Sequence, residues 1–491
     1  MSDRRRPKNF TPGTDQQRGR SAGPVVDRNA LPTCRHFGTC GGCSALDLSI
    51  ADQLQLKVDS IGQLLAPWLG NVHVQYDVPP RTPVHFRTKL LYPVRPDSKG
   101  HAILGIYQQK SHEIVRIREC QTQDEGLTVL GQRAEEVIRA LRLVPWDETK
   151  GTGFVRAFHA RIAAGTGELL MGIVTRPGLF EQGAEFGARM MEAAADLPGS
   201  GSMKIVPVGV VRSISEREGN FLLGERHVPL KGRDHQFDRS GNLTFRIRFG
   251  SFYQIHRHAE AILYRPAMEM AGDVRDQVVV DGYGGIGTFG LRFARAGAAR
   301  VEVVEENPTA CDDARFNAKA HGMPGVRVVN APFAKAEFVA KPDLLVVDPP
   351  RAGLQAEGVA RVQAAEPGRI LHVACAADSL ARDLELLCAQ GWKVTAMRLC
   401  DMFPHTDHVE IVTRLESLGP LAAGENTVYP ILRRLKADRV VESFLQDSPS
   451  GPPRQYYRLS AEGRKKLSVL SKEWDAVVQA VGQCVGKGAD R

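Results

Sequence analysis

Cys375 closes a short strand-like run in a place where chemistry could occur. The stretch Arg369–Asp383 reads RILHVACAADSLARD, in which Ile370 to Ala374 form the run, small residues follow, and a helical pattern begins. A thiol at the C-terminal edge of a strand in an open α/β sheet sits where such sheets bind ligands. Its thiolate would be a nucleophile that needs a base and an electrophile nearby. Two carboxylates qualify as partners. Asp348 ends the strand of DLLVVDPPRAGL, where Pro349 and Pro350 stiffen the turn and donate no ladder hydrogen bonds. Glu410 lies near the start of a strand over His408–Leu415; taken alone, it reads rather as a solvated strand carboxylate.

A cofactor site is written in QVVVDGYGGIGTFGLRFARAGAARVEVVEEN. Val278 to Val280 make a strand, Asp281 to Gly287 a Gly-rich turn, and a second strand over Val301–Val304 ends at Glu305. Such a turn lets a nucleotide approach the backbone, and the acid can hold ribose hydroxyls. NAD, FAD and S-adenosylmethionine all fit this pattern. The acid that opens the loop, and the lack of a clean G-x-G-x-x-G, favour S-adenosylmethionine.

A third constellation is CRHFGTCGGC, with Cys34, Cys40 and Cys43 spaced C-x5-C-x2-C. Thiolates at this density suit a soft metal centre, and the spacing alone allows zinc or an iron–sulfur cluster. Cys120 is the next cysteine and the candidate fourth ligand; His36 is a weaker one.

The surrounding elements follow from periodicity. Asp47–Leu65 has an amphipathic helix pattern expected beside the cysteine loop. From Pro79 onward the text alternates as strands do, with Arg87 and Lys89 among apolar residues, a face for RNA or simply a solvated one. Leu127–Leu143 and His256–Ala271 read as helices. Lys393–Leu399 and His408–Leu415 read as an antiparallel pair at one end of an otherwise parallel sheet. The net charge of +8 points weakly to a polyanionic partner. No apolar run approaches the roughly 20 residues of a membrane span, and no signal region opens the chain, so a cytoplasmic protein with reduced thiols is expected.

These motifs resemble the S-adenosylmethionine-dependent RNA uracil-C5 methyltransferases, which make 5-methyluridine in rRNA and tRNA. The resemblance covers residues 34–415. It rests on the cysteine spacing, Phe252-Tyr253-Gln254, D-x-x-x-G-x-G, DPPRAG, the cysteine before S-L-A-R-D, and D-x-F-P-x-T-x-H-V-E. It implies an α/β protein with a Rossmann-like class I methyltransferase domain over 251–418. An iron–sulfur loop and an α+β RNA-binding region would precede it over 34–250, behind a disordered basic tail over 1–33. Cys34, Cys40, Cys43 and Cys120 would hold a [4Fe-4S] cluster. Gln254, Tyr283, Thr288, Glu305, Asn330 and Asp348 would contact S-adenosylmethionine. Cys375 would attack C6 of uracil, so that C5 becomes nucleophilic, and Glu410 would remove the C5 proton. Arg382 is a candidate for lowering the thiol pKa. The expected partner is RNA, with 23S rRNA first and a tRNA T-loop uridine as the alternative; a catalytically weak nucleic-acid-binding regulator is a second class.

Three motifs depart from the family pattern: Cys-Asn-Pro is Cys375-Ala376-Ala377, F-P-Q-T carries His405, and the Asn after F-x-Q-x is His256. Base recognition, cofactor contact or rate is expected to differ there. The family's frequent N-terminal TRAM barrel is expected to be missing. Residues 419–491 resemble PadR-type winged-helix regulators, with Thr427–Lys436 as the recognition helix, Gln455–Leu459 as a wing strand and Ala461–Val481 as later helices. Little room remains before Thr427, so a partial winged helix with doubtful DNA binding is expected.

Overall fold

The structure is a computed structural model that describes residues 32–70, 72–79, 83–199, 203–216, 223–417, 425–448 and 451–486. Nearly all of the expected basic tail lies outside the described residues. The chain divides into a unit ending at Ser417 and a second beginning at Leu418.

The first unit is built on an eight-stranded sheet. Its spatial order is Val74–Asp77, Trp392–Cys400, Glu410–Ser417, Arg369–Ala374, Leu344–Val347, Val278–Gly282, Arg300–Glu305 and Val326–Asn330. Glu410–Ser417 runs antiparallel to both of its neighbours, and the other pairings are parallel. Parallel strands are covered on both faces, and the sequence obeys: Leu344 to Val347 are all buried. Strand order reverses between Val278–Gly282 and Leu344–Val347, which places a crevice at their C-terminal ends.

The antiparallel pair is where the periodicity puts it, but Val74–Asp77 adds an edge strand beyond it that four residues of sequence do not reveal. The first helix, Ile50–Leu69, is capped by Ser49, whose side chain accepts from Asp52 N. Val58, Ile61 and Leu65 join the core of the large sheet with Leu380, Leu384 and Leu387. The segment expected to be one helix over His256–Ala271 opens as a π-helical turn, Glu260–Tyr264, before the α-helix Arg265–Ala271.

A six-stranded, mostly antiparallel sheet over Lys89–Gly232 is the α+β region. The helix Glu125–Ala140 packs Leu127, Leu130 and Ile138 onto Leu90, Tyr92 and Phe158. The following hairpin, His235–Ser240 with Leu243–Arg248, packs Leu243, Phe245 and Ile247 against Ile286, Leu291 and Ala310. It therefore sides with the large sheet although it precedes residue 250.

The second unit contains the helix Glu425–Ala437, an antiparallel pair Val441–Ser448 and Gly451–Leu459, and one continuous helix Ala461–Gly486 in place of several. Among the described residues no helix is long and apolar enough to cross a membrane.

Candidate active site

The C-terminal ends of the parallel strands bring the chemistry together. Ala374 pairs with Ile411, so the next step along the ladder sets Cys375 opposite Glu410. Asp348 follows Val347, and its N–H donates to Gly282 O at 3.3 Å. Cys375, Glu410 and Asp348 thus line one cavity of about 710 Å³ with Gln254, Tyr283 and Glu305.

Electrostatics couple the three acids. Burial raises the Glu410 carboxyl, and the charge of Asp348 raises it further; only Arg351 pulls it down. Glu410 Oε2 is buried without a hydrogen-bond partner. Burial likewise raises Asp348. Cys375 is raised by burial, then by Glu410 and Asp348, again opposed by Arg351. Arg382 is exposed and is not among the charges acting on the thiol, so that expectation is corrected: the cation is Arg351. Its position after Asp-Pro-Pro was legible, but its reach to the thiol requires the fold. Arg351 Nη2 lies 3.2 Å from His408 Nε2.

The Gly-rich loop forms the other side of the cavity. Glu305 accepts from Gly285 N at 3.0 Å and from Asn307 N at 2.7 Å, which holds its carboxylate against the loop. Tyr283 occupies the left-handed region at φ 61°, a costly conformation for a bulky residue. Gly285 has φ 55° and open space where a Cβ would stand, so a ligand can approach its backbone closely. These features fit a nucleoside with ribose hydroxyls against Glu305. Thr288 lines a smaller adjoining cavity together with Gln254 and Tyr283. Asn330 does not line either cavity; its Nδ2 donates to Glu305 O at 3.0 Å and Glu306 O at 2.9 Å, bracing the strand end.

Asp383, in the S-L-A-R-D motif, is a positioning residue that the motif alone does not explain. Its Oδ2 accepts from Leu354 N at 2.8 Å and lies 3.0 Å from His372 Nε2, both buried contacts. It ties the DPPRAG loop to the strand of Cys375. A Cβ on Gly353 would stand 2.7 Å from the same oxygen, so only glycine fits.

The departures have structural accounts. Ala376 is the N-cap of the helix Ala377–Ala389 and gives it no side-chain cap. His405 is buried: its N–H donates to Gln53 Oε1 at 2.7 Å, Nδ1 lies 3.1 Å from Gln53 Nε2, and Nε2 lies 2.9 Å from Pro83 O. A neutral ring donating from Nε2 and accepting at Nδ1 satisfies both partners. Beside it, Lys57 Nζ meets Asp401 at 2.7 Å in a buried ion pair. His256 stacks on Phe86 with ring centres 4.6 Å apart, and burial pushes its imidazole down to about 3.

Cys34, Cys40, Cys43 and Cys120 line a second cavity of about 570 Å³, as does His36, whose Nε2 accepts from Arg118 N. Among the described residues no three His, Cys, Asp or Glu side chains form a group that could hold a metal ion. Backbone amides donate to two of the four sulfurs. Gly42 N donates to Cys40 Sγ at 3.3 Å and Gln123 N to Cys120 Sγ at 3.4 Å. Burial, with Cys120 and Cys40 alongside, pushes the Cys43 thiol up to about 12.

Residues 238–417 match the family model described as tRNA (Uracil-5-)-methyltransferase, and residues 407–469 match the PadR-like transcriptional regulator model. An uncharacterized RNA methyltransferase of Oceanobacillus iheyensis is 31% identical over 392 residues, covering 78% of this chain and 82% of the relative. Another from Caldanaerobacter subterraneus is 30% identical over 413 residues, covering 82% and 89%. The solved Pyrococcus abyssi tRNA (uracil-54, C5)-methyltransferase in complex with S-adenosyl-L-homocysteine superposes with a TM-score of 0.62 at 25% identity, covering 78% of this chain and 87% of that one.

Proposed function

The chain belongs to the RNA methyltransferases of the tRNA (uracil-5-)-methyltransferase family, and from that premise we propose that it forms 5-methyluridine in RNA, with Cys375 as nucleophile and Glu410 as base. The observation that carries this reading is the meeting of Cys375, Glu410 and Asp348 in the cavity that also holds Tyr283 and Glu305.

The Cys375 thiolate adds to C6 of uracil, forming an S–C6 bond and moving the ring electrons onto the enolate system, so that C5 gains carbanion character. S-adenosylmethionine, when bound, supplies the electrophilic methyl group that C5 takes. Gln254, Tyr283, Glu305 and Asp348 would hold it, with Thr288 and Asn330 supporting the walls. The Glu410 carboxylate accepts the C5 proton, the C5–C6 double bond re-forms, and Cys375 leaves as thiolate. A carboxyl raised by burial is a better proton acceptor once ionised than an exposed one. Arg351 favours the thiolate. The uracil reaches Cys375 unstacked, as base chemistry requires.

Cys34, Cys40, Cys43 and Cys120 are proposed to hold a [4Fe-4S] cluster in a structural role, supported by four thiols around one cavity and by the backbone donors to sulfur. The proposed substrate is a uridine of 23S rRNA. A T-loop uridine of tRNA is the second reading, favoured by the substrate named for the Pyrococcus neighbour. Tritium release from C5-labelled uridine in rRNA and tRNA transcripts tests the proposal. Release with either RNA is expected; none with both would refute it. Iron and sulfide analysis after anaerobic purification tests the cluster.

A further inference from the structure

The cysteine cavity and the catalytic cavity are continuous in their lining: Arg351, Phe403 and His408 border both. The cysteine cavity is also lined by Arg87 and Lys89, which flank Thr88 at the start of the strand Lys89–Pro96. Among the described residues no hydrogen bond or ion pair holds the Arg87 guanidinium or the Lys89 ammonium. Two other cations of the unit meet a carboxylate: Lys57 has Asp401, and Arg246 has Asp313. Lys89 keeps part of its surface on the cavity although protein surrounds most of it. Burial, then Arg161 and Arg87, push its ammonium down to about 7, as expected for cations gathered without an anion.

We propose that Arg87 and Lys89 form a phosphate subsite for the substrate RNA, so that a phosphodiester next to the flipped nucleotide sits between the cysteine loop and Arg351. This rests on the RNA methyltransferase reading above. A planar guanidinium and a compact ammonium converging on one cavity match a tetrahedral phosphate with several acceptor oxygens. A nucleotide whose base enters at Cys375 leaves its backbone at the mouth that the two cavities share. The competing account makes Arg87 a counter-charge to the cysteine sulfurs, because its charge acts on Cys40 and Cys43.

The experiment uses the full chain, purified anaerobically, and a fluorescein-labelled single-stranded oligouridylate. Binding is measured against salt for wild type, Arg87→Gln, Lys89→Gln, the double variant, and the charge-retaining pair Arg87→Lys and Lys89→Arg. Iron, sulfide and 5-methyluridine formation are read in parallel. Each neutral variant should bind several-fold more weakly at 0.1 M salt and reduce the slope of log K against log salt by about 0.7. The charge-retaining variants should keep the wild-type slope, and iron and sulfide should not change. An unchanged slope in the double variant overturns the subsite. Loss of iron and sulfide with an unchanged slope assigns the cations to the cysteine site instead. A wild type that methylates uridine while the slope ignores both residues defeats the subsite alone. A charge-dependent slope without any 5-methyluridine defeats the catalytic reading alone.

Discussion

Glu410 is a carboxyl that the fold keeps protonated well above its ordinary range, and this sets both a stability cost and a pH dependence. Burial and the neighbouring Asp348 raise it. Between the ordinary glutamate value near 4.3 and that raised value, the folded chain binds more protons than the unfolded one, so this residue makes folding less favourable as pH rises through the window. Glu410→Gln should therefore melt at a higher temperature than wild type, with a gain that grows from pH 5 to pH 9, while turnover falls by about 100-fold or more. A gain that does not change with pH would contradict the argument. The proposed mechanism needs both Cys375 and Glu410 deprotonated, and both are raised, so kcat/KM should climb through neutrality into the alkaline range. Arg351 opposes both shifts. Arg351→Gln should move that limb to still higher pH, and a pH–rate profile of the variant reads the displacement directly. Cys375, Asp348 and Glu410 were legible as candidates because each ends or begins a strand. Arg351 was legible only as a residue of the DPPRAG motif, since its action on the thiol crosses from one loop to another strand.

At the scale of elements, the departure beside Cys375 is a capping defect. The helix Ala377–Ala389 starts from Ala376 without a side-chain cap, and Ser379 Oγ donates to Ala376 O at 2.9 Å without satisfying any free N–H. An asparagine there would accept from the first-turn amides. Ala376→Asn is predicted to stabilise the chain by about 1 kcal/mol, read as a higher denaturation midpoint with the slope unchanged. No change would mean that the helix end is already satisfied. The buried strands were legible because runs such as Leu344–Val347 have no polar residue to contradict them. The strap around His405 was not, because its partners Gln53 and Pro83 lie more than 300 residues away in sequence. The surface that buries the apolar face of Ile50–Leu69 was not legible for the same reason: an amphipathic pattern specifies a buried face, not what buries it.

At the scale of the whole molecule, the unit that ends at Ser417 contains every residue assigned to catalysis, cofactor and cysteine site. A chain cut after Ser417 should keep tritium release within about threefold of the full chain if the PadR-like segment has no part in turnover. A larger loss, measured at saturating RNA, would place that segment in the reaction. The two family matches overlap at residues 407–417, so the PadR-like match takes in the strand Glu410–Ser417 of the large sheet. The most direct test of the central claim is the fate of the Cys375–C6 bond. Full-length Glu410→Gln, incubated with S-adenosylmethionine and labelled substrate RNA and run on a denaturing gel, should accumulate a covalent protein–RNA band that Cys375→Ala does not form. Methyl transfer by Cys375→Ala at a rate near wild type would contradict the account.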